Sequence, residues 1–337
     1  PAVKSVSASA DELIEKARLR PELARAILQK KAFADAEREV KHCRKHGIEI
    51  IASTDAQYPA LLRETADYPH VLYVLGSPEA LGKTTLTMVG TRRMTPYGQR
   101  LIGELADRVA DTVIVSGLAF GIDTACHRAA LAFGMPTVGI IASALPGITP
   151  AQHTAVARDM IEHGGAVVSE LHSQTRQNGN FYHSRNRLLA GISGGTVVVE
   201  SPVEGGSMDT ARLADGYNRT LMAVPGRATD FASAGANLLI RTQRAQMVCT
   251  GEDIVREMMW DQNRPGDLID RPTAAPAALT RDEEGLLGCF RTDDPISAEE
   301  LCELSGLGFG ELSALLLGLE MAGAVRQLPG NRYMKLR

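Results

Sequence analysis

SGLAFGID, Ser116 to Asp123, is the stretch whose reading decides the fold. The apolar run Thr112–Val115 before it reads as a buried strand. The chain then passes Ser116-Gly117 and Gly121 and enters a segment of helical apolar period, Ile122 to Phe133. This is a strand, a glycine turn and a helix. Glycine lets the backbone come close to a ligand, and a helix start presents N–H groups to an anion. Ser116, Gly117 and Gly121 are therefore expected at a phosphate-type site.

The same rhythm extends in both directions. TLTMVG, TVIVSG, TVGIIAS, GAVVSE, TVVVES and LMAVPG are apolar runs of strand length. Segments of helical period lie among them: Tyr97 to Ala110, Ile122 to Phe133, Ala151 to Glu162, Arg185 to Ile192 and Met208 to Gly216. Alternation of this kind predicts an α/β fold with a parallel sheet covered on both faces. Ligands of such sheets sit beyond the carboxyl ends of the strands. Here those ends are rich in glycine, serine and threonine. Residues 11–50 read as helical, and VLYVLG, ending at Gly76, as a further strand. After Trp260 the composition shifts to proline, alanine and aspartate, a linker signature. From Arg281 the pattern is three helices and a two-stranded hairpin about Pro329-Gly330-Asn331, a winged helix-turn-helix. The expected organisation is a helical domain over 1–70, a sheet domain over 71–260, a linker over 261–280 and a winged helix over 281–337.

Composition narrows the function classes. A chain of 337 residues exceeds one typical core. Its net charge of −4 gives no global attraction to nucleic acid or to an anionic membrane, so any such binding needs a local patch. Five scattered cysteines without a Cys-x-x-Cys pair argue for reduced thiols in a cytoplasmic protein, against a zinc site and against a disulfide framework. No apolar run approaches the roughly 20 residues that span a bilayer, and PAVKSVSASADEL carries no apolar signal region. Neither membrane attachment nor export is expected.

Two further segments carry chemistry. In VGTRRMTPYGQR, Val89 to Arg100, a strand ends at Gly90, Arg92 and Arg93 occupy the turn, and Thr95-Pro96 opens a helix. Arginines beside a helix N-terminus suit phosphate. In NFYHSRNRLLAGIS, Asn180 to Ser193, Phe181 and Tyr182 precede His183, Arg185 and Arg187 at every second position, with Asn186 between. Aromatics beside arginines are what single-stranded nucleic acid uses: bases stack and phosphates pair. The competing reading places Phe181 in the core and pairs the arginines with Glu170 or Glu200. Arg92 and Arg185 are both expected just past strand ends, where a loop arginine contributes little to a core. Asp123 and His127, four apart, read as a local pair fixing a helix start. Gly82-Lys83-Thr84-Thr85 lacks the first glycine of a P-loop and precedes a strand, so it is set aside. No nucleophile, catalytic set, metal site or cofactor is expected. The third helix of the winged unit, GELSALLLGLEMAG, has two glutamates and no Lys or Arg. From Arg281 the chain holds 6 Lys/Arg against 10 Asp/Glu. That suits protein docking better than duplex reading.

From Tyr58 onward the order of motifs resembles the bacterial DNA-processing protein A family, also called Smf. The motifs are YPALL with VLYVLG, VGTRRMTPYG, SGLAFGID, GGAVVSE, NF…RNRLLAGIS, VVVES with GGSMDTA, AVPG and GANLLI. The resemblance implies a Rossmann-like core, a sterile-alpha-motif-like N-terminal domain and a winged-helix tail. It implies a non-catalytic, dimeric binder of single-stranded DNA that protects strands in natural transformation and loads RecA recombinase on them. Carried over by motif, Arg92, Ser116, Gly117, Gly121, Arg185, Asn186 and Arg187 would meet the strand. Three departures stand out: SALPGITPAQH after the third strand, Asp209 in GSMDTA, and Arg244 where glycine is usual. The enzyme alternative is the LOG-type phosphoribohydrolases. In EGGSMDTAR, Glu204 to Arg212, Arg212 stands in the slot of their catalytic glutamate and Met208 in that of the third glycine. A duplex-binding regulator is the other alternative, and the acidic third helix weakens it.

Overall fold

The computed structural model describes residues 14–15, 20–29, 32–109, 111–176, 178–260, 280–290, 294–321, 324–328 and 330–336. The chain divides into two compact units, Pro1–Asn263 and Arg264–Arg337. The linker expected over 261–280 lies outside the described residues except for Thr280, as does most of the helical reading before Arg20.

The first unit holds helices α1 (Pro21–Leu28), α2 (Phe33–Lys45) and α3 (Ala60–Arg63), with β1 (Ile48–Ala52) and β2 (Val71–Gly76). The alternating core follows: β3 (Thr85–Val89), α4 (Pro96–Arg108), β4 (Val113–Ser116), α5 (Ile122–Ala132), β5 (Thr137–Ile140), α6 (Thr154–Glu162) and β6 (Ala166–Ser169). It continues with α7 (Phe181–Ile192), β7 (Gly195–Val198), α8 (Gly206–Gly216), β8 (Thr220–Ala223), α9 (Ala234–Arg241), β9 (Gln246–Met247) and α10 (Gly251–Glu257). Nine strands form one sheet in the order β1-β2-β6-β5-β4-β3-β7-β8-β9. The pairs from β6 to β9 are parallel; β1–β2 and β2–β6 are antiparallel.

All six strands expected between Thr85 and Ala223 are present, and their physical reason is visible in the burial. Every residue of β3 to β7 is buried, so these strands carry apolar side chains on both faces instead of alternating with polar ones. Val113 and Val115 enter one cluster with Leu188, Ala211 and Leu239; Ile114 enters the other with Leu105, Ile122 and Ile254. The period-two pleat thus sorts consecutive residues of β4 to α7, α8 and α9 on one face and to α4, α5 and α10 on the other. Strand β1 was not expected. It lies inside the 1–70 stretch read as helical, yet it extends the sheet through β2, with Ile50 opposite Tyr73. Its single polar residue, Glu49, interrupts a short apolar run that resembles the end of a helix. Among the described residues, no single helix is long and apolar enough to cross a membrane.

The second unit has α11 (Arg281–Leu287), β10 (Ile296–Ser297), α12 (Ala298–Ser305), α13 (Phe309–Met321), β11 (Val325–Leu328) and β12 (Arg332–Lys335). Thr280 and Glu283 form a reciprocal capping box that starts α11. Leu286, Leu301, Leu312, Leu316, Leu319 and Val325 make its core. Three helices and a hairpin, extended by β10 on β12, are the winged-helix arrangement the sequence implied.

One histidine ties α5 to the sheet. His127 is fully buried, and its Nδ1 lies 2.7 Å from Thr137 Oγ1 on β5. It is not paired with Asp123, as the four-residue spacing had suggested; the sheet supplied a nearer partner. Burial first, then the charges of His153 and Arg185, lowers its pKa from 6.5 to about 3. Between those values the unfolded chain takes up a proton that the folded chain refuses. This contribution to stability is complete above about pH 6.5 and is lost as pH falls toward 3, by about 1.4 kcal/mol per pH unit. Melting temperatures measured from pH 7.5 to 5 should fall less steeply for His127→Gln than for the parent. Equal slopes would mean that another group controls acid stability.

Candidate nucleic-acid interface

Strands β3 to β8 run in one direction, so their carboxyl ends share one edge of the sheet. The loops after β3, β4 and β6 meet there. The β3 loop is tied at three points: Thr91 N donates to Glu200 O (2.7 Å), Thr95 N to Glu200 Oε2 (3.0 Å) and Ile122 N to Thr91 O (3.1 Å). Thr95 caps α4 by accepting from Gly98 N, with Pro96 at the first helical position, as the Thr-Pro pair had indicated. A side chain on Gly98 would collide with the Glu200 carboxylate. Glu200 is 1% exposed and its carboxylate is occupied by Thr95. It organises the loop, and a free catalytic carboxylate is absent at this position.

On this frame Arg92 and Arg93 project into solvent. The Arg92 guanidinium lies 5.0 Å from the centre of the Tyr182 ring, a cation–π distance. No described carboxylate lies within ion-pair reach of either arginine. Gly121, at φ +74, opens α5 directly behind them. A Cβ there would collide with Thr91 O and stand 2.7 Å from the Arg92 carbonyl carbon. Glycine is required for both its conformation and this close approach. The N-terminus of α5 and the two exposed arginines therefore face the same edge.

Other expected contacts are placed differently. Ser116 is fully buried and its hydroxyl donates to Met88 O (2.6 Å), so it joins β4 to β3 and does not face a ligand. Gly117 is needed because a Cβ would collide with Arg185 Nη1 and fall 2.5 Å from Asp123 Oδ2. Arg185 is not the loop arginine that was expected. Helix α7 begins at Phe181, four residues earlier than the apolar run suggested, and carries Arg185 inward at 5% exposure. Its Nη1 donates to Gly117 O (2.8 Å) and Ile140 O (2.5 Å), joining the ends of β4 and β5. Burial pushes the Asp123 carboxyl up from the ordinary range, against the pull of Arg185. Asn186 is also buried and donates to Gly206 O (3.3 Å), linking α7 to α8. Arg187 pairs with Glu170, both half-buried. A stripe of every second residue would share one face of an extended segment, but on a helix each step of two turns about 200°. His183 accordingly points out, to Asp209 (3.0 Å), while Arg185 points in and Arg187 sideways.

Phe181 is half-buried, and Tyr182, the second of the two aromatic faces expected here, becomes the ring under Arg92. Arg212 pairs with Asp209 (3.3 Å), and Arg244 with Asp215 (2.8 Å). Among the described residues, no group of three or more His, Cys, Asp or Glu side chains could hold a metal ion. A cavity of about 450 Å³ lined by Tyr58, Lys83, Thr85, Met258 and Trp260 lies at the opposite edge, where β3 and β7 begin.

The two arginines should therefore separate cleanly. Arg185→Leu removes charge-assisted bonds to two buried carbonyls and leaves Asp123 without its compensating cation, at a cost of about 3–5 kcal/mol. Arg92→Ala removes an exposed side chain and should leave the melting temperature unchanged within error. Thermal denaturation of both variants tests this. An unaltered melting temperature for Arg185→Leu would show that the buried clamp is not structural.

The family model for DNA recombination-mediator protein A matches residues 49–259, and that for the DprA winged helix domain matches 270–331. Protein Smf of Escherichia coli K12 is 32% identical over 294 residues, 86% of this chain and 77% of that protein. The DNA processing protein DprA of Bacillus subtilis is 34% identical over 218 residues, 64% and 73% of the two chains. The crystal structure of DprA from Streptococcus pneumoniae superposes with a TM-score of 0.65 at 26% identity, covering 76% of this chain and 92% of that one. A DprA structure from Helicobacter pylori, described for its single-stranded DNA binding mode, gives 0.57 at 26% identity over 64% and 96%. With a nine-stranded α/β sheet and a winged-helix unit each accounted for by its own model, the chain belongs to the DNA recombination-mediator protein A family.

Proposed function

We propose that the carboxyl edge of the nine-stranded sheet binds single-stranded DNA without sequence preference. The observation that carries this reading is Arg92: exposed, stacked on Tyr182, and held on a fixed loop beside the N-terminus of α5. A guanidinium and a helix start attract phosphate, and phosphate contacts carry no sequence information. The Helicobacter pylori relative, described by its single-stranded DNA binding, supports the choice of ligand. Arg93 is the second direct contact in this reading. Gly117, Gly121, Arg185, Asn186 and Arg187 act by shaping the edge, and Phe181 adds a half-buried aromatic at the first residue of α7.

Binding, and not catalysis, is the activity in this reading. Glu200 is committed to Thr95 and Arg212 to Asp209, so the phosphoribohydrolase reaction lacks a carboxylate. No free base should be released from adenosine monophosphate; its appearance by chromatography, abolished in Glu200→Gln, would restore the enzyme reading. Family membership further supports protection of incoming strands in natural transformation, loading of RecA recombinase, a cytoplasmic setting and a homodimer. Sedimentation and a RecA-nucleation assay test the last claims directly. The winged helix serves docking or regulation: α13 exposes Phe309 and Leu317 and carries Glu311 and Glu320.

Affinity for an oligonucleotide of deoxythymidine should fall with salt, with a log–log slope of about −0.7 for each phosphate neutralised, and duplex should bind far more weakly. Arg92→Ala should weaken single-strand binding by about 1.5–3 kcal/mol, roughly ten- to hundredfold. A chain ending at Asp261 should keep most of this affinity. Equal binding of duplex, or loss of binding in a folded chain that ends at Asp261, would contradict the reading.

A further inference from the structure

The loop between β4 and α5 ends in an aromatic ring that the fold does not bury. Phe120 is 46% exposed. It is nonetheless fixed. Its ring meets the His153 ring at 4.7 Å and 66°, an edge-on contact. His153 is itself buried; its Nδ1 lies 2.8 Å from Leu118 O and its ring nitrogens 3.2–3.3 Å from Thr124 Oγ1.

The backbone beneath the ring is held as firmly. Leu118, fully buried, adopts φ 55, a left-handed conformation that a branched side chain rarely takes. Ala119 O accepts from Thr124 Oγ1 (2.5 Å) and Thr124 N (3.2 Å), and Ala119 N donates to Asp123 Oδ2 (3.3 Å). The next residue, Gly121, packs on the backbone of Thr91 and Arg92. Phe120 therefore stands beside the Arg92 loop, on a turn whose strain is sustained by a buried imidazole and a threonine.

An exposed, immobilised aromatic next to phosphate-binding cations is the equipment for stacking an unpaired base. We propose that Phe120 is a base-stacking platform for the single strand, with His153 as its positioning residue. The inference rests on the single-strand reading above. A base of a duplex, stacked on both sides, cannot use such a ring, so the platform selects single strands where the arginines do not.

The test uses the full chain and two fluorescein-labelled 20-mers: oligodeoxythymidine, and a strand of abasic tetrahydrofuran residues with the same phosphates. Phe120→Ala should weaken binding of oligodeoxythymidine about 5- to 100-fold and leave abasic-strand binding unchanged. Phe120→Trp, in a Trp260→Phe background, should retain binding and show emission quenched by oligodeoxythymidine but not by the abasic strand. If the wild-type chain binds neither probe, the single-strand reading falls and the platform with it. If the wild type binds but Phe120→Ala changes neither affinity, or lowers both equally, the platform alone is overturned. The same holds if the emission of the introduced indole responds alike to both probes.

Discussion

The Arg185 guanidinium, donating to Gly117 O and Ile140 O inside the protein, is the interaction on which the arrangement of the site depends. Parallel strands end in unpaired carbonyls, and a ligand site at that edge needs those ends in fixed relative positions. A single guanidinium nitrogen, Nη1, holds two of them at once through its two N–H donors. Its cost is a buried charge, offset by the neighbouring Asp123 carboxylate. The pair leaves no space for a Cβ at Gly117, so the glycine of the turn follows from the arginine 68 residues away. A second clamp, Glu200 on Thr95, does the same for the β3 loop. Between the two, Arg92 is presented without carrying structural load.

Much of this was legible from sequence, for identifiable reasons. Fully apolar runs of strand length separated by helical periods have few alternative folds, so the strands β3 to β8 could be read directly. The turn chemistry of Thr95-Pro96 fixed the start of α4 locally. What escaped were features that depend on partners distant in the chain. The start of α7 lay in Phe181 to Ser184, which show no apolar helical period of their own. That shift of one turn converts Arg185 from a loop cation into a buried clamp and separates it from Arg187. Ser116 likewise lies at a strand end as expected, but its hydroxyl is consumed by Met88 of the next strand. Strand ends advertise ligand sites; they do not say which polar groups are already satisfied.

The electrostatics are local by construction. A chain of net charge −4 is not steered to a polyanion by its overall field. Arg187, Arg212 and Arg244 are each matched to a carboxylate, whereas Arg92 and Arg93 have none within ion-pair reach among the described residues. The unmatched positive charge coincides with the N-terminus of α5, where a strand's phosphates gain most. The winged-helix unit, acidic and with Phe309 and Leu317 exposed on α13, has the opposite character.

Hydrogen exchange of the full-length chain, with and without saturating oligodeoxythymidine, tests the central claim most directly. The account places the bound strand across the carboxyl edge. Protection should therefore concentrate in peptides covering 90–95, 117–124 and 178–187, with 281–337 unchanged. Protection confined to 281–337, or to the cavity edge around Tyr58 and Trp260, would contradict it.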